Sequence, residues 1–394
     1  MKQIVRIISA LLCILLLTAC GAQPASTTAA PVGTTAAPTV ETTITPTQAA
    51  PGEIRNLIII IGDGMGDAQI EAGELGMGKE FVFRNWQRTH ANTNSLDDAG
   101  NATKVTDSAA GGTALSTGVV TINRYLGKDK DGNDLQTILD HAKEYGKATG
   151  VVTTDTINGA TPASYSGHAM DRNDTQTILY TQLESNVDLL CAHKSSEAAD
   201  MKSFIEKAGY TYCDMFSKVE DSLASEKAYW QFNMAGMGAT DKLEAVVPHA
   251  LEFLSKDEDG FVLMIEQAHI DKYCHSNEID GTILMSNSLN NTVEAVLNWV
   301  GDRNDTAIII TADHETGSLQ VSADTKLSNS FSVNGNSFYY VYGSDDHSDT
   351  PVSVYVYGFT ADFTPYYLDD SQTVIKNSSV FSIMLDLLEN PVRE

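Results

Sequence analysis

Basic residues are scarce in this chain of 394 residues: 25 Lys and Arg stand against 52 Asp and Glu, for a formal net charge of −27. A field of that sign repels polyanions, so nucleic acid and anionic lipid are excluded as partners of the folded body, and any phosphate ligand has to meet locally positive charge. Long apolar runs are lacking as well: Ile7 to Leu17 is too short to span a bilayer. Cysteine is sparse. Beyond Cys20 only Cys191, Cys213 and Cys274 remain, too few for a disulfide framework. Cys191 and Cys213 could pair in an oxidising exterior, but their spacing does not decide it, and an odd count leaves at least one free thiol. No internal repeat is evident.

What is present begins with an export signal. Lys2 and Arg6 precede the apolar run, which has the length of a signal-peptide core. The run ends in Leu17-Thr18-Ala19-Cys20, which resembles the lipobox of bacterial lipoproteins. Residues 1–19 are therefore expected to be a signal peptide, and Cys20 a lipidated mature N-terminus on the extracellular or periplasmic face of the cell membrane. Residues 20–52 are almost wholly Thr, Ala, Pro, Ser and Gln without an aromatic, a composition that cannot bury enough apolar surface to offset chain entropy, so they read as a disordered tether. Residues 53–394 read as one large domain.

Within that domain, Asn56 to Ile61, Ala148 to Thr154, Phe261 to Ile265 and Thr306 to Thr311 are short β-rich runs with no polar alternation, as in strands buried on both faces. Helical patterns lie between them, such as Leu135 to Tyr145 and Ser286 to Trp299. The alternation predicts an α/β fold, a three-layer α/β/α sandwich around a large, mostly parallel central sheet. Residues 188–248 are less regular and read as an insertion beside the core.

Open sheets of this kind place their sites just beyond the carboxyl ends of the strands. After the first strand comes Gly62-Asp63-Gly64-Met65-Gly66, a glycine loop without dinucleotide-binding spacing, in which Asp63 favours a cation over a pyrophosphate. After the third, Glu266 leads into Asp271 and His275, an i, i+4 pair able to grip one metal ion if the segment turns helical near Ile270; the alternative is a capped helix with a solvated face. After the fourth comes Asp313-His314-Glu315, charges that a buried strand end can hold only with partners such as a metal. His347, before the strand Val352 to Tyr357, reads by itself as a loop histidine. The stretch VTDSAAGGTAL, residues 105–115, contains Ser108 without the G-x-S-x-G setting of a triad nucleophile. It reads either as a helix cap or as a serine whose alkoxide a metal stabilises.

Together IGDGMG, VTDSAAGGTALSTG, ATPASYSGHAMDR, EQAHIDKYCH, TADHETGS and DDHSDTPV resemble, in order, the motifs of the alkaline phosphatase family. The resemblance implies a phosphate monoester hydrolase acting on small phosphorylated substrates through a phosphoserine on Ser108. It implies two zinc ions and one magnesium ion. One zinc is held by Asp271, His275 and His347, the other by Asp63, Asp313 and His314 with Ser108 joining. Asp63 then bridges to magnesium, completed by Thr161 and Glu266. Arg172 grips two phosphate oxygens, Lys272 contacts phosphate through water, and a homodimer is allowed. Three divalent ions and Arg172 outweigh the ligand carboxylates and the alkoxide, which leaves a net positive site in an acidic body.

One departure stands out. Gly159, two residues before Thr161, sits where relatives commonly carry an aspartate or histidine, so the third site is expected to hold magnesium weakly and Gly159→Asp to tighten it, unless another side chain such as Asp155 fills the gap. Two further readings fail on the residues: Asp129 to Asp134 lacks the glycine and glutamate of a calcium loop, and Ser108 lacks the C/S-x-P-x-R setting of a sulfatase. Two other readings stay open, a phosphodiesterase of the same superfamily and a non-catalytic surface protein that binds phosphate or metal.

Overall fold

The computed structural model describes residues 52–333 and 335–392. The expected signal peptide, Cys20 and all but the last residue of the tether lie outside the described residues. Among the described residues no helix is long and apolar enough to cross a membrane.

Four consecutive isoleucines, Ile58 to Ile61, leave a strand no face to turn to water, so both faces need cover. All four are fully buried, and each such side chain stabilises the fold by roughly 1.5–3 kcal/mol. They lie in β1 (Asn56–Gly62), near the middle of a ten-stranded sheet. The other strands of that sheet are β2 (Gln87–Asn92), β3 (Ala148–Thr153), β4 (Leu189–His193), β5 (Thr211–Cys213), β6 (Ala228–Phe232), β7 (Phe261–Gln267), β8 (Thr306–Thr311), β9 (Val352–Tyr357) and β10 (Val374–Lys376). Their order across the sheet is β10-β2-β9-β8-β1-β7-β3-β4-β6-β5.

From β8 to β5 every neighbouring pair is parallel, with Ile59 of β1 beside Ile309 on one side and Met264 on the other. Only β9 runs against its neighbours, β8 and β2. Helices cover both faces, as the sequence predicts for a three-layer sandwich. Asp67–Met77, Leu243–Leu254 and Ile279–Val300 pack together in one layer. Ser108–Thr117, Ile138–Glu144, Ala160–Ser166 and Ser378–Glu389 pack together in the other.

One reading changes and one open question closes. Residues 188–248 are not beside the core: they supply β4, β6 and β5, which extend the sheet to its far edge. The reason is that β5 is only three residues long, while His193 in β4 and Gln231 in β6 break the unbroken apolar run that marks the central strands. Cys191 and Cys213 do not pair. Both align with Trp230, from opposite sides of β6, so two strand spacings, about 9–10 Å, separate them. That exceeds the reach of a disulfide, and Cys191, Cys213 and Cys274 are all free and buried. The Asp129 turn behaves as its letters suggest, its carboxylate accepting from the Asp131 and Asn133 N–H groups.

Candidate active site

β8, β1, β7 and β3 are consecutive in the sheet and parallel, so their carboxyl ends open on one side. Each delivers part of one polar cluster. Asp63 follows β1, Glu266 lies near the end of β7, and Asp313 and His314 follow β8. β3 leads through a loop to Thr161 on the helix Ala160–Ser166. The helix expected near Ile270 spans His269–His275 and sets Asp271 and His275 on one face. His347 arrives by a different route: the two-residue strand His347–Ser348 pairs antiparallel with Glu315–Thr316, so His347 lies beside Thr316.

Two groups of ligand atoms result, each gathered within 4.8 Å: Asp271, His275 and His347, and Asp63, Asp313 and His314. In the first, His275 Nε2 lies 3.3 Å from Asp271 Oδ1 and 3.1 Å from His347 Nε2. In the second, His314 Nε2 lies 3.3 Å from Asp313 Oδ2 and 3.6 Å from Asp63 Oδ1. The His314 and His347 rings stack at 3.6 Å between centroids, which sets the two groups side by side. Ser108 Oγ is 3.2 Å from His314 Nε2.

These residues fit cations on three counts. Asp63 Oδ1, Asp313 Oδ2 and Thr161 Oγ1 are buried without any hydrogen-bond partner, a state that costs free energy unless a ligand completes it. Next, the outer ring nitrogens are occupied: His275 Nδ1 donates to the Asp345 carbonyl (2.6 Å) and His347 Nδ1 to the Thr106 carbonyl (2.8 Å). In a neutral ring each bond makes the inward-facing Nε2 the lone-pair nitrogen, as a metal-binding imidazole requires. Finally, the charges do not settle by themselves. Burial and then the neighbouring Asp313, Asp271 and Glu266 push Asp63 well above the usual carboxylate range. Burial and Asp155 push Glu266 up to about 8. Burial and then His347 hold His314 far below the ordinary histidine value. Cations would reverse the carboxylate shifts.

The helix-cap reading of the Ser108 stretch is met at the residue before it. Asp107 is the cap, accepting from the Ala110 N–H at 3.0 Å, and Ser108 is the first residue of the helix Ser108–Thr117. Small residues follow because the helix runs close against its neighbours: a Cβ on Gly111 would meet the Asp313 carbonyl at 2.8 Å, and one on Gly112 would meet Ser164 Oγ at 2.4 Å. Asp107 also accepts from Arg172 Nη1 at 3.1 Å, which holds the guanidinium beside Ser108.

Lys272 Nζ pairs with Asp155 Oδ1 at 2.7 Å. Burial works against its charge, but Asp155 outweighs that and raises the ammonium above its ordinary value. The gap expected at Gly159 is filled. A Cβ on Gly159 would lie 2.8 Å from Asp155 Oδ2, so the Asp155 carboxylate already occupies that space.

Some members of the cluster carried no signal in the sequence. Thr153 donates its hydroxyl to Glu266. Glu315, read there as a ligand-like charge, instead accepts from Gln69, Ser348 and the Ser318 and Leu319 N–H groups, and so anchors the ribbon that carries His347. Only the pairing with His347–Ser348, too short to predict, brings these groups together.

The alkaline phosphatase family model matches residues 54–195 and 224–379. The chain belongs to the alkaline phosphatase family. Alkaline phosphatase 3 of Bacillus subtilis is 32% identical over 298 residues, covering 69% of this chain and 63% of that protein. The Escherichia coli alkaline phosphatase is 29% identical over 342 residues, covering 69% and 72%. The chain thus spans a little under two thirds of the Bacillus relative. Among solved structures, the alkaline phosphatase of the Antarctic bacterium TAB5 superposes with a TM-score of 0.73 at 25% identity, over 88% of this chain and 100% of that one.

Proposed function

We propose that this alkaline phosphatase family member is a metal-dependent phosphatase that hydrolyses small phosphate monoesters through a phosphoserine on Ser108. The observation that carries the reading is the convergence of orphaned Asp63 and Asp313 oxygens with inward-facing His314 Nε2 around Ser108 Oγ. Asp271, His275 and His347 would hold one zinc ion, and Asp63, Asp313 and His314 the other. Asp63, Thr161 and Glu266 would hold magnesium, with Asp155 beside them. A variant of the TAB5 enzyme has magnesium in its M3 site. When bound, the ions supply the positive charge that favours the Ser108 alkoxide and the leaving oxygen.

The chain's own residues do the rest. Ser108 Oγ forms a bond to phosphorus while the ester oxygen departs with its bonding pair and is protonated as an alcohol. Water then attacks phosphorus, the P–Oγ bond breaks, and Ser108 returns to its starting state. Arg172, restrained by Asp107, presents a planar fork to two phosphate oxygens, a geometry that favours a monoester. The N-terminus of the helix Ser108–Thr117 adds its own partial positive charge. The enzyme would work outside the cytoplasm, tethered through lipid on Cys20.

Ser108→Ala tests the mechanism. Purified variant and wild type are compared for zinc content, for covalent phosphate retained on acid quench, and for phosphate release from mono- and diesters. The variant should keep its zinc and lose phosphoprotein and turnover, the latter by on the order of 10³-fold or more. Near wild-type kcat in Ser108→Ala contradicts the covalent route, and a preference for diesters in the wild type contradicts the monoester reading.

A further inference from the structure

Of the three histidines in the two groups, His275 and His347 donate from Nδ1 to backbone carbonyls. His314 has no such support. Its Nδ1 lies 3.2 Å from the hydroxyl of Thr316, and that same hydroxyl donates to Asp271 Oδ1 at 2.5 Å. A threonine hydroxyl has one proton to give. With Asp271 as its acceptor, it can only accept from His314, so the Nδ1 proton on His314 and its bare, inward Nε2 follow from where the Thr316 hydroxyl points.

The hydroxyl has little freedom to point elsewhere. Thr316 is fully buried. Its N–H donates to the Gly64 carbonyl at 3.2 Å, and its carbonyl accepts from Gln69 Nε2 at 2.7 Å. It sits opposite His347 in the two-residue ribbon. The approach from the other side is close enough to require glycine: Gly64 has φ +71, and a Cβ there would meet Thr316 Oγ1 at 2.8 Å.

We infer that Thr316 is a positioning residue that couples the two metal groups, its single hydroxyl orienting His314 of one and holding Asp271 of the other. The inference rests on the metal reading above. A cation drawn to Asp271 acts on the acceptor of the Thr316 proton, and through it on the bond that keeps His314 in its binding form. Loss of the hydroxyl therefore weakens both sites together, although Thr316 itself binds neither ion.

The test uses Thr316→Val, which keeps the shape and deletes the hydroxyl, and Thr316→Ser, which keeps the hydroxyl. Metal-stripped full-length proteins are titrated with zinc against a chromophoric chelator, and circular dichroism and melting establish that each variant is folded. Thr316→Val should lose about 10 to 100-fold in affinity at both sites, and Thr316→Ser should recover most of it. Unchanged affinities in Thr316→Val, a loss at one site alone, or no recovery in Thr316→Ser overturns the inference. A wild type that takes up no zinc overturns the metal reading instead. A second measurement does not depend on the variants: imidazole ¹⁵N correlation spectra of metal-free wild type should show His314 protonated at Nδ1, and a proton on Nε2 refutes the relay.

Discussion

Gly159→Asp asks the sharpest question of the third metal position. The backbone there, φ −59 and ψ 158, suits any residue, so conformational strain does not forbid the change. Space does. The new Cβ would meet Asp155 Oδ2 at 2.8 Å and the Thr156 carbonyl at 3.0 Å. Asp155 is itself held by Lys272 and by the Thr156 N–H, so the added carboxylate either displaces it or crowds a second negative charge against it. Overpacking of this kind costs roughly 1–3 kcal/mol. The single variant should therefore melt lower and bind magnesium no more tightly than the wild type, the reverse of what the sequence alone suggests. Asp155→Ala removes the carboxylate already in place and should weaken magnesium about 10 to 100-fold, or about 1.4 to 2.8 kcal/mol. Asp155→Ala with Gly159→Asp puts a carboxylate back into the vacated space and should recover most of that loss. The assay is a calorimetric magnesium titration of zinc-loaded, magnesium-stripped protein, with thermal melting alongside. Tighter magnesium binding in Gly159→Asp alone, or an unchanged midpoint in Asp155→Ala, refutes the reasoning.

Three further outcomes are expected. His347→Ala reduces one group from three protein ligands to two, so zinc titration should show the Asp271 site weakened selectively; equal loss at both sites would remove His347 from the ligand set. Glu266, raised to about 8, binds a proton in the folded state that the unfolded chain has released, so stability from this group is full below its unfolded value and falls as pH rises toward 8. His314, depressed by burial, works in the opposite sense only below its unfolded value of about 6.5. Between pH 6.5 and 8 the metal-stripped protein should thus lose stability as pH rises, measured by denaturant unfolding, while the metal-loaded protein should not; a flat profile without metal tells against the assignment. Cys20→Ala should abolish incorporation of labelled fatty acid and release the protein from the membrane fraction, and membrane attachment without label would point to an uncleaved signal anchor.

The parts of the site that could be read from the sequence share a physical cause. Asp63, Glu266 and Asp313 stand out because each follows a run that is uncharged, mostly apolar and fully buried, where an unpaired charge is costly. The central strands were legible for the related reason that a parallel sheet covered on both faces removes polar alternation. His347 was not: its place depends on a ribbon of two residues per strand, and only family order pointed to it. Thr316 belongs to the same ribbon, and its role lies in a hydroxyl direction that no residue pattern records. Asp155 was named only as a substitute for the side chain missing at Gly159. It takes that space because the chain turns back on itself between Thr156 and Gly159, where the Gly159 N–H donates to the Thr156 carbonyl at 2.9 Å; the Asn158-Gly159 pair marks the turn, but not which side chain the turn brings in.

The ligand-bearing strands β8, β1, β7 and β3 stand toward one part of the sheet, and β4, β6 and β5 prolong it away from them. The stretch that the family match passes over, 196–223, contains the last of these, β5, and the short helical turns around it. A terminal strand of three residues contributes hydrogen bonds on one side only, and none of its residues belongs to either group of ligand atoms. The fold thus separates an interior that gathers the polar groups around Ser108 from a margin that lies apart from them.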